Sequence, residues 1–295
     1  MPISLNAVKV LKELDKEDIR ILQMIEVLLK EGEYAPLEKI AKYAGFTVKE
    51  TNYRLSKIHK LKLIERWKGH YIGYTLKFAG FDALALNALY EGGIISSVGS
   101  ARGVGKESDI YYALDFEGNE VIIKINRTGR ASFRNVKKKR DFLEKRTHYS
   151  IYFTAYLSAR REYEILSKLQ GSKLPVPKIR GYNRHIIVMD IIKGKELVNI
   201  DYIEKPLKVL KQIIKFERKL YKKYKLIHAD LTEYNIIYDE DSKKITIIDF
   251  PQAVTIDHPN ALELLERDVN HLMEFFGKKY GVSLETDSVL KFITK

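Results

Sequence analysis

Cysteine is absent from all 295 residues, which excludes disulfide bonds and thiolate-bound metal sites. Long apolar runs are absent too. None approaches the roughly 18 residues that a membrane-spanning helix needs, and the first residues lack the apolar core of a secretion signal. These absences predict a cytoplasmic protein without a membrane partner.

Acidic residues are few relative to basic ones, with 39 Asp and Glu against 52 Lys and Arg, so the net charge is +13. Such an excess favours polyanionic partners, namely RNA, DNA or phosphates. Hydrophobic residues make up 45% of the chain, which suits a globular protein with a buried core. The length allows one large or two modest domains.

A polar motif lies in two β-rich runs, residues 226–237 and 245–250, which flank a polar turn. Asp230, Asn235 and Asp249 stand at the ends of these runs. This spacing suits phosphoryl transfer, in which one aspartate accepts or orients a hydroxyl proton while an asparagine and a second aspartate hold the metal on a nucleotide's phosphates. Each residue alone is equally well explained as a turn cap, but the joint spacing favours catalysis.

The pattern His-x-Asp-x-x-x-x-Asn, followed by Ile-Asp-Phe-Pro-Gln at residues 248–252, resembles the catalytic core of the RIO atypical protein kinases. Typical protein kinases have glycine where this chain has Pro251. The resemblance implies phosphoryl transfer from ATP, with Mg²⁺ or Mn²⁺, to protein Ser/Thr or to water. Asp230 would be the base, and Asn235 and Asp249 the metal ligands. Asp249 would also be able to accept the phosphoryl group and pass it to water.

A glycine-rich run upstream resembles the kinase loop GxGxxGxV, with Ser108 at the third glycine and Ile110 at the valine. Glycines let backbone N–H groups approach phosphate oxygens, although a plain hairpin turn also explains such a run. The form Gly-x-Gly-Lys-Glu-Ser is distinctive of the RIO family. The candidate phosphate-binding residues are Gly103, Val104, Gly105, Lys106, Glu107, Ser108 and Ile110.

Lys124 lies within an apolar run, and a buried lysine needs a carboxylate or phosphate partner. Glu162, on the next predicted helix, is the expected partner, and the pair would orient the phosphates. By resemblance, Met189 gates the adenine pocket. The rest of that pocket would come from the backbone of Asp190 and Ile192 and from a floor of Ile237 and Ile248, which ordinary core packing also explains.

The N-terminal residues predict three helices and a β-hairpin, the pattern of a winged helix-turn-helix. Thr47 and Glu50 form a capping box at the start of the third helix, the expected reading element. A solvated helix surface is the alternative for its basic face, and some winged helices bind protein instead. The candidate nucleic-acid contacts are Lys49, Tyr53, Lys57, Lys60 and Lys68.

A basic stretch over residues 127–147 resembles the insertion of RIO kinases. A disordered solvated loop is the alternative, but we favour a loop that faces RNA or the ribosome and orders on binding. Its candidate contacts are Lys137, Lys138, Lys139 and Arg140.

Together these features predict an α+β protein with a winged helix-turn-helix domain at 1–82, a helix end and linker at 83–92, and a bilobal RIO kinase domain at 93–295. Within that domain the N-lobe would span 93–189, the hinge 190–192 and the C-lobe 193–295. The combination resembles the RIO kinase 2 branch, which implies the precursor of the small ribosomal subunit and its rRNA as partners. We expect a monomer.

Two other functions fit parts of the sequence. One is a non-catalytic RNA-binding assembly factor that uses ATP as a conformational ligand. The other is a small-molecule phosphotransferase of the aminoglycoside-kinase type, which shares the His-x-Asp-x-x-x-x-Asn spacing but does not normally carry a winged helix or the Gly-Lys-Glu-Ser loop.

Overall fold

The computed structural model describes residues 10–105, 107–127 and 148–295. The chain forms two compact units. Of the described residues, the first unit contains those up to Arg160 together with Arg180–Met189, and the second contains Arg161–Ile179 and Asp190–Lys295. Within the described ranges, no helix is both long enough and apolar enough to cross a membrane.

The N-terminal part of the first unit is a winged helix, as predicted. Asp15 and Asp18 form a capping box at the start of the first helix, and Thr47 accepts a hydrogen bond from the backbone N–H of Glu50 at the start of the third. A small sheet of order β1-β3-β2 completes it. The elements are α1 Lys16–Leu28, β1 Ala35–Pro36, α2 Leu37–Ala44, α3 Val48–Lys60, β2 Ile64–Lys68 and β3 Ile72–Leu76.

A long helix, α4 (Phe78–Glu91), follows and leads to a five-stranded sheet of order β4-β5-β6-β8-β7. The first strand of this sheet begins only at Ser97, because the backbone N–H of Ile94 still donates to Leu89 at the end of α4. Gly93 allows this turn with a φ of 71°. The strands are β4 Ser97–Val104, β5 Ser108–Leu114, β6 Glu120–Asn126, β7 Ile179–Asn183 and β8 Ile186–Asp190. Helix α5 spans His148–Leu169.

The second unit packs three helices around short strands. Its buried core contains Phe250 and Phe216, whose rings meet edge to face at 6.5 Å. The elements are β9 Lys195–Glu196, α6 Pro206–Lys219, a short π-helix at Leu220–Tyr224, β10 Leu226–Ile227, β11 Ile236–Asp239, β12 Lys244–Ile247, β13 Val254–Thr255, α7 Ala261–Tyr280 and α8 Thr286–Thr294.

Candidate active site

The polar motif is held by two strand pairs of the second unit. Strands β11 and β12 form an antiparallel hairpin, and β10 pairs with β13. Asn235 immediately precedes β11 and Ile248 immediately follows β12, and the backbone N–H of Ile248 donates to the carbonyl of Asn235 at 2.9 Å. The hairpin therefore places Asn235 and Asp249 at the same end, although they are far apart in sequence.

Asp230 is tied directly to Asn235. The side-chain nitrogen of Asn235 donates to the Asp230 carbonyl at 2.8 Å and to its carboxylate at 3.2 Å. Burial raises the pKa of Asp230, and so does the nearby negative charge of Asp249, against the lowering effect of the Asn235 hydrogen bond. Two carboxylates that repel one another beside an amide oxygen form a donor set suited to a divalent cation such as Mg²⁺.

The backbone of this set is strained at two places, next to Asp230 and at Asp249 itself. Ala229 has a φ of 61° and Asp249 a φ of 70°, both in the left-handed region that residues other than glycine rarely adopt. Such strain persists only where neighbours enforce it, and it concentrates at functional sites. His228 supplies one restraint, since its Nε2 lies 3.0 Å from the carbonyl oxygen of Ile248.

Helix α7 supplies the other restraints. Arg267 donates a hydrogen bond to the carbonyl of Ala229, and the carboxylate of the neighbouring Asp268 is buried, with one oxygen 3.5 Å from Arg267. Arg267 therefore braces the loop around Asp230.

A further acid, near Asp268, was not predicted from the sequence. Glu217 is fully buried, and neither of its carboxylate oxygens has a hydrogen-bond partner among the described residues. Burial, and the charge of Asp268, raise its pKa well above the usual value, which favours the protonated form. Its signal in the sequence was its position on the apolar face of α6, four residues after Ile213 and seven after Leu210.

In the first unit the glycine-rich run forms the turn between β4 and β5. Gly103 pairs with Ile110, and the N–H of Gly105 donates to the carbonyl of Ser108 at 2.8 Å. A Cβ at Gly105 would lie 3.1 Å from that carbonyl oxygen, whereas one at Gly103 would meet nothing within 4 Å. The turn is thus a tight hairpin with open space at Gly103. Lys106 lies outside the described residues.

The remaining predicted nucleotide-binding residues are placed as follows. Lys124, on β6, is only 8% exposed, and Glu162, on α5, only 2%, so both are buried charged side chains. Met189 is buried at the end of β8. The N–H of Asp190 donates to the carbonyl of Lys178 at 2.9 Å. The half-buried side chains are Ile192, Ile237 and Ile248.

One residue of the predicted basic face of the winged helix is engaged in an ion pair, and the others are exposed. Tyr53 is 73% exposed, but the ammonium of Lys57 lies 2.5 Å from the buried carboxylate of Asp18. Lys57 therefore stabilises the domain and has less charge to offer a partner. The other members are exposed: Lys49, Lys60 and Lys68. The loop residues lie outside the described part of the chain: Lys137, Lys138, Lys139 and Arg140.

Comparison with known proteins identifies both parts of the chain. The family model of the RIO domain matches residues 109–289, and that of the Rio2 N-terminal domain matches residues 11–91. The serine/threonine-protein kinase rio2 of Dictyostelium discoideum is 38% identical over 92% of this chain and 52% of its own. The RIO-type serine/threonine-protein kinase Rio2 of Methanocaldococcus jannaschii is 35% identical over 90% of this chain and 100% of its own. The chain thus spans about half the length of the Dictyostelium relative and the whole of the archaeal one.

A solved structure agrees with the sequence relatives. The Rio2 kinase–ADP/Mg²⁺–phosphoaspartate complex from Chaetomium thermophilum superposes with a TM-score of 0.86 at 32% identity, covering 98% of this chain and 89% of that one. The match includes the winged helix as well as the strands and helices that carry the polar motif. The chain therefore belongs to the RIO kinase family, within which it is a Rio2 protein.

Proposed function

We propose that this chain is an Mg²⁺-ATP-dependent phosphotransferase that acts on protein Ser/Thr or on water. The observation that carries the proposal is the hydrogen-bonded Asp230–Asn235 pair beside the carboxylate of Asp249. The names of the relatives support it, since they are serine/threonine-protein kinases, and so does the ADP/Mg²⁺ complex of the C. thermophilum protein.

In this proposal Asp230 accepts the proton of the attacking hydroxyl. The raised pKa of Asp230 brings the carboxylate closer to a working general base, and Asn235 fixes its orientation. Because the nitrogen of Asn235 is used by Asp230, its oxygen remains for the metal, together with the carboxylate of Asp249. Bound Mg²⁺ would neutralise charge on the phosphates, and two protein oxygens are typical for it, since phosphates and water complete its shell.

The glycine-rich turn and Lys124 would contribute phosphate contacts, and Glu162 stays the residue that the sequence predicts as the partner of that lysine. The open space at Gly103 supports this role, because a ligand can come close to the backbone there.

We propose further that Asp249 accepts the phosphoryl group. Its carboxylate oxygen would bond to the γ-phosphorus as the bond to the leaving ADP oxygen breaks, and water would later release phosphate. The phosphoaspartate in the C. thermophilum complex supports this step. An acid-stable, hydroxylamine-sensitive phosphoprotein trapped during turnover would establish it, and failure to trap one would count against it.

The partner we propose is the precursor of the small ribosomal subunit, contacted through its rRNA. The support is the net charge of +13 and the exposed lysines of the winged helix. The test is ATP turnover by the purified chain with and without purified precursor particle. A changed rate with the particle supports the proposal, and an unchanged rate without detectable binding contradicts it.

A further inference from the structure

A buried ionic network lies in the first unit, apart from the polar motif. Arg127 is only 1% exposed. Its two terminal nitrogens donate to the two carboxylate oxygens of Asp82, each at 2.7 Å, and its Nε donates to Asp109 at 2.9 Å. Both carboxylates are buried as well. Such a fork is among the stronger side-chain contacts in proteins.

The partners of Arg127 come from separate elements. Asp82 belongs to α4, the helix after the winged helix, and Asp109 is the second residue of β5, directly after the glycine-rich turn. The backbone N–H of Arg127 also donates to the carbonyl of Glu107, within that turn, at 2.6 Å. Arg127 thus holds the turn by its backbone and its side chain, while Asp82 holds Arg127.

The opposite charges of Asp82 and Arg127 stabilise each other in the buried network. Burial alone would raise the pKa of Asp82, but the charge of Arg127 and the hydrogen bonds from His185 and Arg127 outweigh it and leave the pKa lowered. Burial lowers the pKa of His185, which favours the neutral ring, and its Nε2 lies 2.8 Å from Asp82. Removing one charge would leave the opposite charge buried and uncompensated.

We infer that Arg127, anchored by Asp82, is a positioning residue that sets the glycine-rich turn in the conformation that binds phosphates. This rests on the proposed function, because it assumes that the turn contacts ATP. The inference means that helix α4 influences the affinity for nucleotide, although it lies outside the strands that carry the turn. A purely structural role for the network would instead change stability alone.

Two variants separate these roles. Asp82→Asn keeps the shape of the side chain but removes its charge. Arg127→Lys keeps the charge but removes the fork, since an ammonium group lacks the planar pair of donors that matches the two oxygens of one carboxylate. The matched control is Glu26→Gln, which breaks the 2.6 Å ion pair with Arg184 in the same unit without touching the turn.

The measurement is calorimetric titration of each full-length variant with Mg²⁺-ATP and, separately, with adenosine, which lacks phosphates. We expect both network variants to bind Mg²⁺-ATP about tenfold more weakly while adenosine affinity stays within about twofold. The control should bind both ligands as the wild type does.

Unchanged Mg²⁺-ATP affinity in both variants would overturn the inference. So would an equal loss of Mg²⁺-ATP and adenosine affinity, because that marks damage to the fold as a whole. A wild-type chain that binds no Mg²⁺-ATP would refute the proposed function itself, which distinguishes that failure from failure of the positioning role alone.

Discussion

The side-chain nitrogen of Asn235 donates to both the carbonyl and the carboxylate of Asp230, at 2.8 and 3.2 Å. Residues that stand five apart in the sequence therefore form one closed loop. The bond fixes the direction of the Asp230 carboxylate, and it leaves the Asn235 oxygen as the atom that can accept a cation. This hydrogen bond therefore orients Asp230, the proposed base, and leaves Asn235 as a proposed metal ligand.

Replacing Asp230 should separate chemistry from binding. We expect Asp230→Ala to lower phosphoryl transfer by about a hundredfold or more, because a positioned general base contributes that much. Mg²⁺-ATP binding should remain measurable, since other residues supply the phosphate and metal contacts. Single-turnover kinetics and calorimetric titration test this. Near-wild-type transfer in the variant removes Asp230 from the proposed role.

Asp249→Asn should weaken binding and activity together. The amide cannot supply the negative charge that a divalent cation requires, so we expect Mg²⁺-ATP affinity to fall by about tenfold and the Mg²⁺ concentration for half-maximal turnover to rise. Asp257→Asn, a change at an exposed carboxylate of the same unit, is the control. An Asp249 variant with the Mg²⁺ dependence of the wild type would show that this residue does not bind the metal.

Arg267 should matter for rate rather than for nucleotide affinity. It donates to the carbonyl of Ala229, whose left-handed backbone directs the chain into Asp230. We expect Arg267→Met to reduce kcat by about tenfold and to leave the KM for ATP within about twofold of the wild type. Lys278→Met, which removes an exposed cation from the same helix, is the control. A raised KM with unchanged kcat would contradict this bracing role.

Asp268 should make stability depend on pH. Burial raises its pKa from 3.8 to about 6, so the folded chain binds this proton more tightly than the unfolded chain does. The associated stability is fully present below about pH 4 and is lost as the pH rises through about 6. The thermal midpoint of the wild type, relative to that of Asp268→Asn, should therefore decrease as the pH rises from about 4 to about 7.

In that variant the side chain keeps its size but cannot titrate, so the difference reports the carboxyl group of Asp268 together with its effect on the pKa of Glu217. Asp201→Asn, at an exposed position, is the control and should track the wild type at every pH. A difference between the wild type and Asp268→Asn that does not change with pH would show that the carboxyl group does not titrate in this range.

The winged helix should contact rRNA mainly through charge. Each neutralised phosphate releases counterions, so affinity for the precursor particle should fall steeply with salt. Replacing the three exposed lysines of the winged helix by alanine should reduce the slope of affinity against salt concentration: Lys49, Lys60 and Lys68. The control removes the same charge from exposed lysines of α6, at Lys208, Lys211 and Lys215. Equal slopes for the wild type and the winged-helix variant would favour a protein-docking role for this domain.

Local sequence patterns predicted the winged helix and the family correctly, because caps, helical periodicity and the spacing of the motif are all local. The network of Asp82 and Arg127 could not be predicted in this way, since the two residues stand 45 apart in the sequence. A lone aspartate in an apolar helix does not indicate which residue pairs with it. The left-handed backbone of Ala229 was equally hidden, because tertiary contacts impose it. Glu217 did leave a signal, as an acid on the apolar face of a helix.

The most direct test of the account is Mg²⁺-dependent ATP turnover by the wild-type chain, Asp230→Ala and Asp249→Asn, measured side by side over a range of Mg²⁺ concentrations. The account predicts turnover that requires Mg²⁺ in the wild type, almost none in Asp230→Ala, and a reduced rate with a raised Mg²⁺ requirement in Asp249→Asn. Turnover that is independent of Mg²⁺, or that is equal in all three proteins, would contradict it.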